Sequence, residues 1–332
     1  MARRLTGRDA LSFIGPLAFS DLGRKCESLL VQYGGAQYKE QFSWVDNIRM
    51  VRDGKTFGEL NEKLVHQLNN RDTGKIHLAP PEVIDWETVS FLYPGQASRP
   101  DEAHPDLHED GFFHPERWSI YNCLVAELAK TDALYILSAG QWFKIEKTFA
   151  AQILENTKTL VREIDHLPAA QAGEDEGTYN TNAANASKNL VLLDRDNKKA
   201  KGARTAIEPC DLFSNSCQFI HVKRKLRSSS LSHLFAQGVV SAETFLSDEK
   251  FRKDVKKAVE KKNPALAQLL GNPKDRPDPN QYEVVFAVIA PPTKEKWPQA
   301  LPFFSQLNLD RTATRLKLLG FRVALHRIDE RA

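Results

Sequence analysis

The chain has 332 residues, is 41% hydrophobic and 27% charged, and carries a formal net charge of +3. A chain of that length and composition can bury a substantial core in one large domain or two, which excludes disorder of the whole. Cys26, Cys123, Cys210 and Cys217 form no CxxC pair and show no zinc spacing, which excludes a disulfide framework or a structural zinc site and favours a reducing cytoplasm. The basic "MARRL" is followed by "TGRDALSF" rather than an apolar signal core. Nowhere do about eighteen apolar residues run together, so neither secretion nor a membrane span is expected.

From the N-terminus, "DLGRKCESLLVQYG" reads as a short amphipathic helix from Asp21. "FGELNEKLVHQLNN" reads as another, with Leu60, Leu64 and Leu68 on one face. "KIHLAPPEVIDW" begins as a strand and is stopped by Pro80 and Pro81. Residues 94–116 are rich in proline and acid and read as a long surface loop and domain boundary. His104, His108 and His114 stand in it among acids, but Pro105 breaks any helical spacing, and a solvated acidic loop is the default reading. The division is therefore a mixed N-terminal α+β region over 1–115, serving target recognition, and an α/β domain over 116–332.

Next comes a predicted meander of "SIYNCLVAEL", "ALYILS" and "QWFKI", its first member also readable as a helix. "KTFAAQILENTKTLVREIDHL" predicts one helix, with Phe149, Ile153, Leu160 and Ile164 in a narrow arc. "PAAQAGEDEGTYNTNAANASK" is small and polar and reads as a loop. Three strands follow, "NLVLLDRD", "RTAIEPCDLF" and "CQFIHVKRK", joined by hairpin-like connections. A helical region from about Ser230 to Lys262 breaks near Gly238. "YEVVFAVIA" lacks polar alternation, which predicts a strand buried on both faces of a sheet covered by helices. The chain closes with a helix over "FFSQLNLDRTATRLKLLG", Gly320 at its C-terminal cap, and the strand "FRVALHRI".

Between Arg195 and Arg227 nine Lys or Arg stand against three acids, a local excess that suits a phosphate backbone. Lys198, Lys199, Lys201, Arg204, Arg224, Lys225 and Arg227 are the candidate DNA contacts. The plainer reading is a hairpin edge guarded by lysines against aggregation.

From Lys147 onward the order helix, three strands, helix, strand resembles the core of the PD-(D/E)xK nuclease fold. In that fold an acid on the second strand and an acid-x-Lys on the third gather around a metal. The fold class the resemblance implies is α/β, a mixed sheet flanked by helices. The matching positions here are Asp211, then His221 and Lys223. Strand alternation puts Phe219, His221 and Lys223 on one face, expected toward the cleft, and Ile220 and Val222 on the other.

By that resemblance Asp211 is the main ligand of Mg²⁺ or Mn²⁺, and Lys223 stabilises charge or orients water. Glu208 is an alternative ligand or stands behind the ligands. His221 departs from the pattern where an acid is usual; imidazole suits Mn²⁺ better than Mg²⁺. Of the first-helix acids, Glu163 is preferred over Glu155, giving Asp211, His221 and Glu163 as the metal set. Plainer roles stay open: Asp211 bonding backbone amides, His221 pairing with a neighbouring strand, and a structural His233.

"TGRDAL", "FSWVDNIRMV", "YILSAGQWFKI", "IEPCDLF", "FIHVKRK", "SLSHLFAQG" and "LPFFSQLNLDRTATRLKLLGFRV" together resemble an uncharacterised bacterial family labelled "sporadically distributed protein". That family's patchy distribution beside restriction and phage-defence genes implies a part in defence against foreign DNA. The resulting expectation is a hydrolase with DNA, modified phage DNA included, as its partner: a metal-dependent endonuclease. The rivals are a non-catalytic nucleic-acid-binding protein on a degenerate nuclease scaffold and a base-excising enzyme of glycosylase type.

Overall fold

The computed structural model describes residues 4–7, 11–14, 18–35, 46–79, 91–93, 117–194, 207–224 and 228–331. The chain divides into two compact units, Met1–Ile48 and Arg49–Ala332. In the first, β1 (Arg4–Gly7) and β2 (Leu11–Ile14) pair antiparallel, with Arg4 opposite Ile14 and Gly7 opposite Leu11. A 3₁₀ turn over Phe19–Asp21 then leads into α1 (Leu22–Gly34), at the place the sequence predicts a helix.

The division falls within β3 (Ile48–Met50). After it, α2 (Gly54–Asn69) starts on Asp53, whose side chain accepts from the Thr56 amide. That helix buries Phe57, Leu60 and Leu64, but Leu68 remains exposed. Next come β4 (Ile76–Leu78), then β5 (Phe91–Tyr93) paired parallel with β6 (Arg117–Ser119). The residues predicted as one strand, "SIYNCLVAEL", split into a single helical turn, α3 (Ile120–Cys123), and β7 (Leu124–Ala129). With β8 (Ala133–Ser138) and β9 (Gln141–Glu146), β7 forms the expected antiparallel meander. The sheet order is β3-β9-β8-β7-β4, and α2 covers it through Phe57, Leu60 and Leu64 against Ala126, Leu137 and Trp142. Ala139 and Gly140 both have positive φ in the two-residue hairpin turn, as a primed turn requires.

The helix α4 (Lys147–Lys158) is shorter than its apolar arc suggests. Past Thr159 the Arg162 amide donates to the Leu325 carbonyl, so residues 161–164 run as an extended segment beside the last strand. The polar stretch after it is not wholly a loop. Asp175 accepts from the Thr178 amide and starts α5 (Glu176–Ala186), which buries Tyr179, Asn180 and Ala183.

A second sheet follows, of β10 (Leu190–Leu192), β11 (Leu212–Ser214), β12 (Gln218–Arg224), β13 (Glu283–Ala290) and β14 (Arg322–Asp329), in that order. The first three strands are antiparallel and the last three parallel. Between β12 and β13 lie α6 (Ser228–Ser247), α7 (Glu249–Lys262) and the short α8 (Pro264–Ala267). The final crossover is α9 (Phe303–Leu318). Gly320, at φ 94°, lets the Phe321 amide return to the Leu316 carbonyl and closes that helix as predicted.

All eight residues of β13 are buried. One sheet face, with Phe213, Phe219 and Phe286, packs beneath α6, α7 and α9; the other, with Leu212, Ile220 and Val222, packs against Tyr179 and Ala183 of α5. Burial of both faces is what parallel strands under crossover helices require. The helical break falls at Asp248, the cap of α7, and not at Gly238. A Cβ at Gly238 would lie 2.5 Å from a Phe286 ring carbon, so this glycine lets α6 lie close on the sheet. Among the described residues there are nine α-helices and two five-stranded sheets, one of them mixed, a mixed α+β architecture.

Candidate metal centre at the strand ends

At the end of the mixed sheet where β10 finishes and β11 begins, the ladder is rearranged around Asp211. Its carbonyl accepts from both Leu193 and Asp194 amides, at 2.7 and 3.0 Å, and its own amide donates to the Ile220 carbonyl at 3.0 Å. Its Oδ2 accepts from the Val222 amide at 2.6 Å, replacing the backbone carbonyl that a longer β11 would have offered. One carboxylate oxygen is thus spent on structure. Pro209 is tied to α6, its carbonyl accepting from the Ser241 hydroxyl, and Cys210 is fully buried in the core below.

These constraints bring Asp194, Glu208 and Asp211 together. Each offers a carboxylate oxygen within 4.8 Å of the others. They line a cavity of about 450 Å³ whose other walls are Asp175, Glu176, Gly177 and Asn180 of the α5 start, Val222 to Arg224 of β12, and Gln237 of α6. Five of these side chains are acidic and two basic, so the cavity attracts cations or hydrogen-bond donors. Burial pushes the Asp211 carboxyl up to about 8, and the neighbouring charges of Glu208, Asp194 and Glu176 add to that against the Val222 amide. Carboxylates this close repel, and one of them holds a proton unless a cation takes its place.

Lys223 reaches the cavity. Its Nζ lies 2.7 Å from Oε2 of Glu176, whose other oxygen accepts from the Arg224 amide at 3.0 Å. Arg224 is held in the same corner by Glu330 at 2.8 Å and by the Glu174 carbonyl. Of the predicted DNA contacts only Arg224 is described, and it is committed to this ion pair. Lys198, Lys199, Lys201, Arg204, Lys225 and Arg227 lie outside the described residues, as do His104, His108 and His114.

The predicted metal set is only partly assembled. Of its members only Asp211 is in the cluster, where Glu208, the alternative ligand, joins it; His221 and Glu163 do not. His221 is 2% exposed, with its ring 6.2 Å from that of Phe286 and its Nε2 buried without a partner. Burial alone depresses its pKa to about 4, leaving a neutral imidazole. The face that alternation assigned to the cleft is instead covered by helices, because β12 lies inside a sheet packed on both sides. Glu163 is exposed on the extended segment beside β14, across the sheet from β11. Glu155, unlike Glu163, belongs to α4, and its side chain accepts from Lys158. His233 is exposed on α6.

Sequence reasoning missed Asp194, Glu176 and Asn180. Asp194 is placed by the β10–β11 pairing. Glu176 and Asn180 lie one turn apart on α5, whose only sequence signal is the "DEGT" cap.

A family of unknown function, DUF6119, has a model that matches residues 1–115 and 107–329, and the chain belongs to that family. No curated protein and no solved structure matches the chain. None of the described helices is long and apolar enough to cross a membrane.

Proposed function

We propose that the protein is a metal-dependent hydrolase of DNA, an endonuclease whose centre is the cluster of Asp194, Glu208 and Asp211. The observation that carries this reading is the convergence of three carboxylate oxygens within 4.8 Å in a cavity that Lys223 also lines. The donor set is hard oxygen throughout, which fits Mg²⁺ or Mn²⁺ and gives no reason to invoke a softer metal. A divalent cation in such a place polarises a phosphoryl oxygen and supplies an activated water. The chain's own contribution is to hold it with three carboxylates and to offer the Lys223 ammonium to the negative charge that develops on phosphate. Glu176 fixes where that ammonium stands.

Two further features support the reading. The order α5, β10, β11, β12, α6 with α7, then β13 is the helix, three strands, helix, strand order of the PD-(D/E)xK core, with α5 rather than α4 as its first helix. In the sequence between Asp194 and Glu208 stand Arg195, Lys198, Lys199, Lys201 and Arg204, a local basic excess that suits a phosphate backbone. A role in restricting foreign or modified DNA rests on the resemblance to the defence-associated family alone.

The test is incubation of the purified chain with plasmid and phage DNA in Mg²⁺, Mn²⁺ or EDTA, beside the Asp211→Asn variant. Cutting by the wild type that needs the cation and vanishes in the variant is expected. DNA binding that survives the substitution and needs no metal, with no cutting in any condition, rejects the reading in favour of a binding protein.

A further inference from the structure

The acidic cluster accounts for one wall of the cavity. On the opposite wall, one turn into α5, Asn180 lines the same space, is 1% exposed, and has a buried Oδ1 with no hydrogen-bond partner. An unsatisfied buried amide oxygen is costly, because it has given up water and gained no donor. Its helical neighbours show that the position is not poorly packed. Tyr179 is buried with its hydroxyl on the Pro168 carbonyl, and Ala183 is fully buried. Leucine would fill the same volume at no polar cost; unlike the orphaned nitrogen of His221 in the closed core, this amide lines a cavity, where a ligand can satisfy it.

The chemistry of the cavity narrows what that ligand is. The carboxylates of Asp194, Glu208, Asp211 and Glu176 are acceptors when ionised, so with a cation in the cluster none of them donates to Asn180 Oδ1. Lys223 is already bonded to Glu176, and Arg224 to Glu330 and Glu174. None of the cavity's donors reaches Asn180 Oδ1, which leaves it open to a donor brought by a ligand. Hard divalent cations take about six oxygens, and Mg²⁺ retains several waters when few protein groups bind it. Three carboxylates leave such waters in place, and each water is polarised into a strong donor.

We propose that Asn180 is a positioning residue of this centre, its Oδ1 accepting a hydrogen bond from a water held by the cation at Asp194, Glu208 and Asp211. This rests on reading the cluster as a cation site. It assigns Asn180 to orienting the water rather than to ligating the ion. Groups that hold a metal's ligands in place typically affect its affinity about 10- to 100-fold.

The test uses Mn²⁺ with the full chain, titrated by calorimetry and by electron paramagnetic resonance, with bound water counted from line broadening in ¹⁷O-enriched water. Wild type, Asn180→Leu, Asn180→Ser, Asn180→Asp and Asp211→Asn are compared after melting confirms each fold. Leucine should weaken Mn²⁺ about tenfold or more and change the water signal, whereas aspartate, which keeps an acceptor and adds a negative charge, should bind at least as tightly as wild type. Serine keeps the inference testable if leucine fails to fold, and should lose affinity in the same direction. Leucine or serine variants that bind Mn²⁺ with wild-type affinity and unchanged water overturn the role of Asn180 while leaving the cluster intact. Aspartate that binds as poorly as leucine overturns it too. Wild type that binds no better than Asp211→Asn removes the cation site itself, and the proposal with it.

Discussion

The Lys223 ammonium stands 2.7 Å from Oε2 of Glu176, one residue from the end of a strand and the other from the start of a helix, and both face the cavity that holds Asp211. The carboxylate accepts from the Arg224 amide with its remaining oxygen, so a single side chain fixes the strand end and the amine together. Among the described residues this pair joins the two walls of the candidate site. It gives Lys223 a defined position before any substrate arrives.

That pair separates a stabilising role from a chemical one. Both side chains are roughly 30% exposed, and ion pairs of this kind contribute about 0–1 kcal/mol. Lys223→Met should therefore shift the melting midpoint by only a few degrees. Its effect on DNA cleavage should be much larger, about a hundredfold or more, as when a preorganised charge-stabilising group is removed. Calorimetric melting and a single-turnover cutting assay measure the two. A variant that cuts normally excludes Lys223 from the chemistry.

Cation binding should depend on pH in a direction set by Asp211. In the metal-free fold its pKa is raised to about 8, so the carboxyl keeps its proton at neutral pH and must release it to receive a cation. Affinity for Mn²⁺ should rise with pH, by up to about tenfold per unit below 8, and level off above it. The same shift makes the metal-free fold less stable as pH rises from about 4 through 8, since the folded state binds the proton more tightly than the unfolded chain. Added cation should then raise the melting midpoint more at pH 8 than at pH 6. Calorimetry at several pH values, with proton release followed in two buffers, checks both statements.

The elements with strong apolar patterns were legible in the sequence. Residues 283–290 could only be a strand buried on both faces, and Gly320 marked the end of a helix. Asp211 and Lys223 were legible as candidates because they stand on hairpin-connected strands, and both line the cavity. The α5 wall was not, since only Tyr179, Asn180 and Ala183 are buried in an otherwise small and polar helix. Asp194 was missed although the hairpin of β10 and β11 was expected, because its approach to Asp211 depends on the register of that pairing, which no local pattern announces. His221 was misread for a different reason. Alternation gives which residues share a face, but not which face is covered.

Gly238 shows the converse limit, a residue read as a break that is instead a packing requirement. Its absent side chain admits the Phe286 ring, which would come within 2.5 Å of any Cβ there. Alanine gains helix propensity of about 1 kcal/mol, but forcing the ring aside in a closed core costs about 1–3 kcal/mol. Gly238→Ala should be destabilising on balance, with Mn²⁺ affinity little changed because Phe286 does not line the cavity. Denaturant unfolding gives the sign, and a more stable variant would mean that the ring relaxes freely.

His221 provides the clearest separation between the site expected from sequence and the one the fold builds. Its imidazole is buried, neutral and half unsatisfied, with a pKa lowered to about 4 against an ordinary value of 6.5. Between those values the unfolded chain binds a proton that the folded one refuses, so stability falls as pH drops from about 6.5 through 4. The loss attributable to this group is on the order of 3 kcal/mol. Substituting a leucine removes the titration and the orphaned nitrogen together while roughly keeping the volume. His221→Leu should therefore be at least as stable as wild type at pH 7 and clearly more stable near pH 4.5, with Mn²⁺ binding unaltered. Urea unfolding across this pH range, paired with a Mn²⁺ titration at pH 8, decides the matter. A variant that loses the metal while keeping its fold would return the imidazole to the centre.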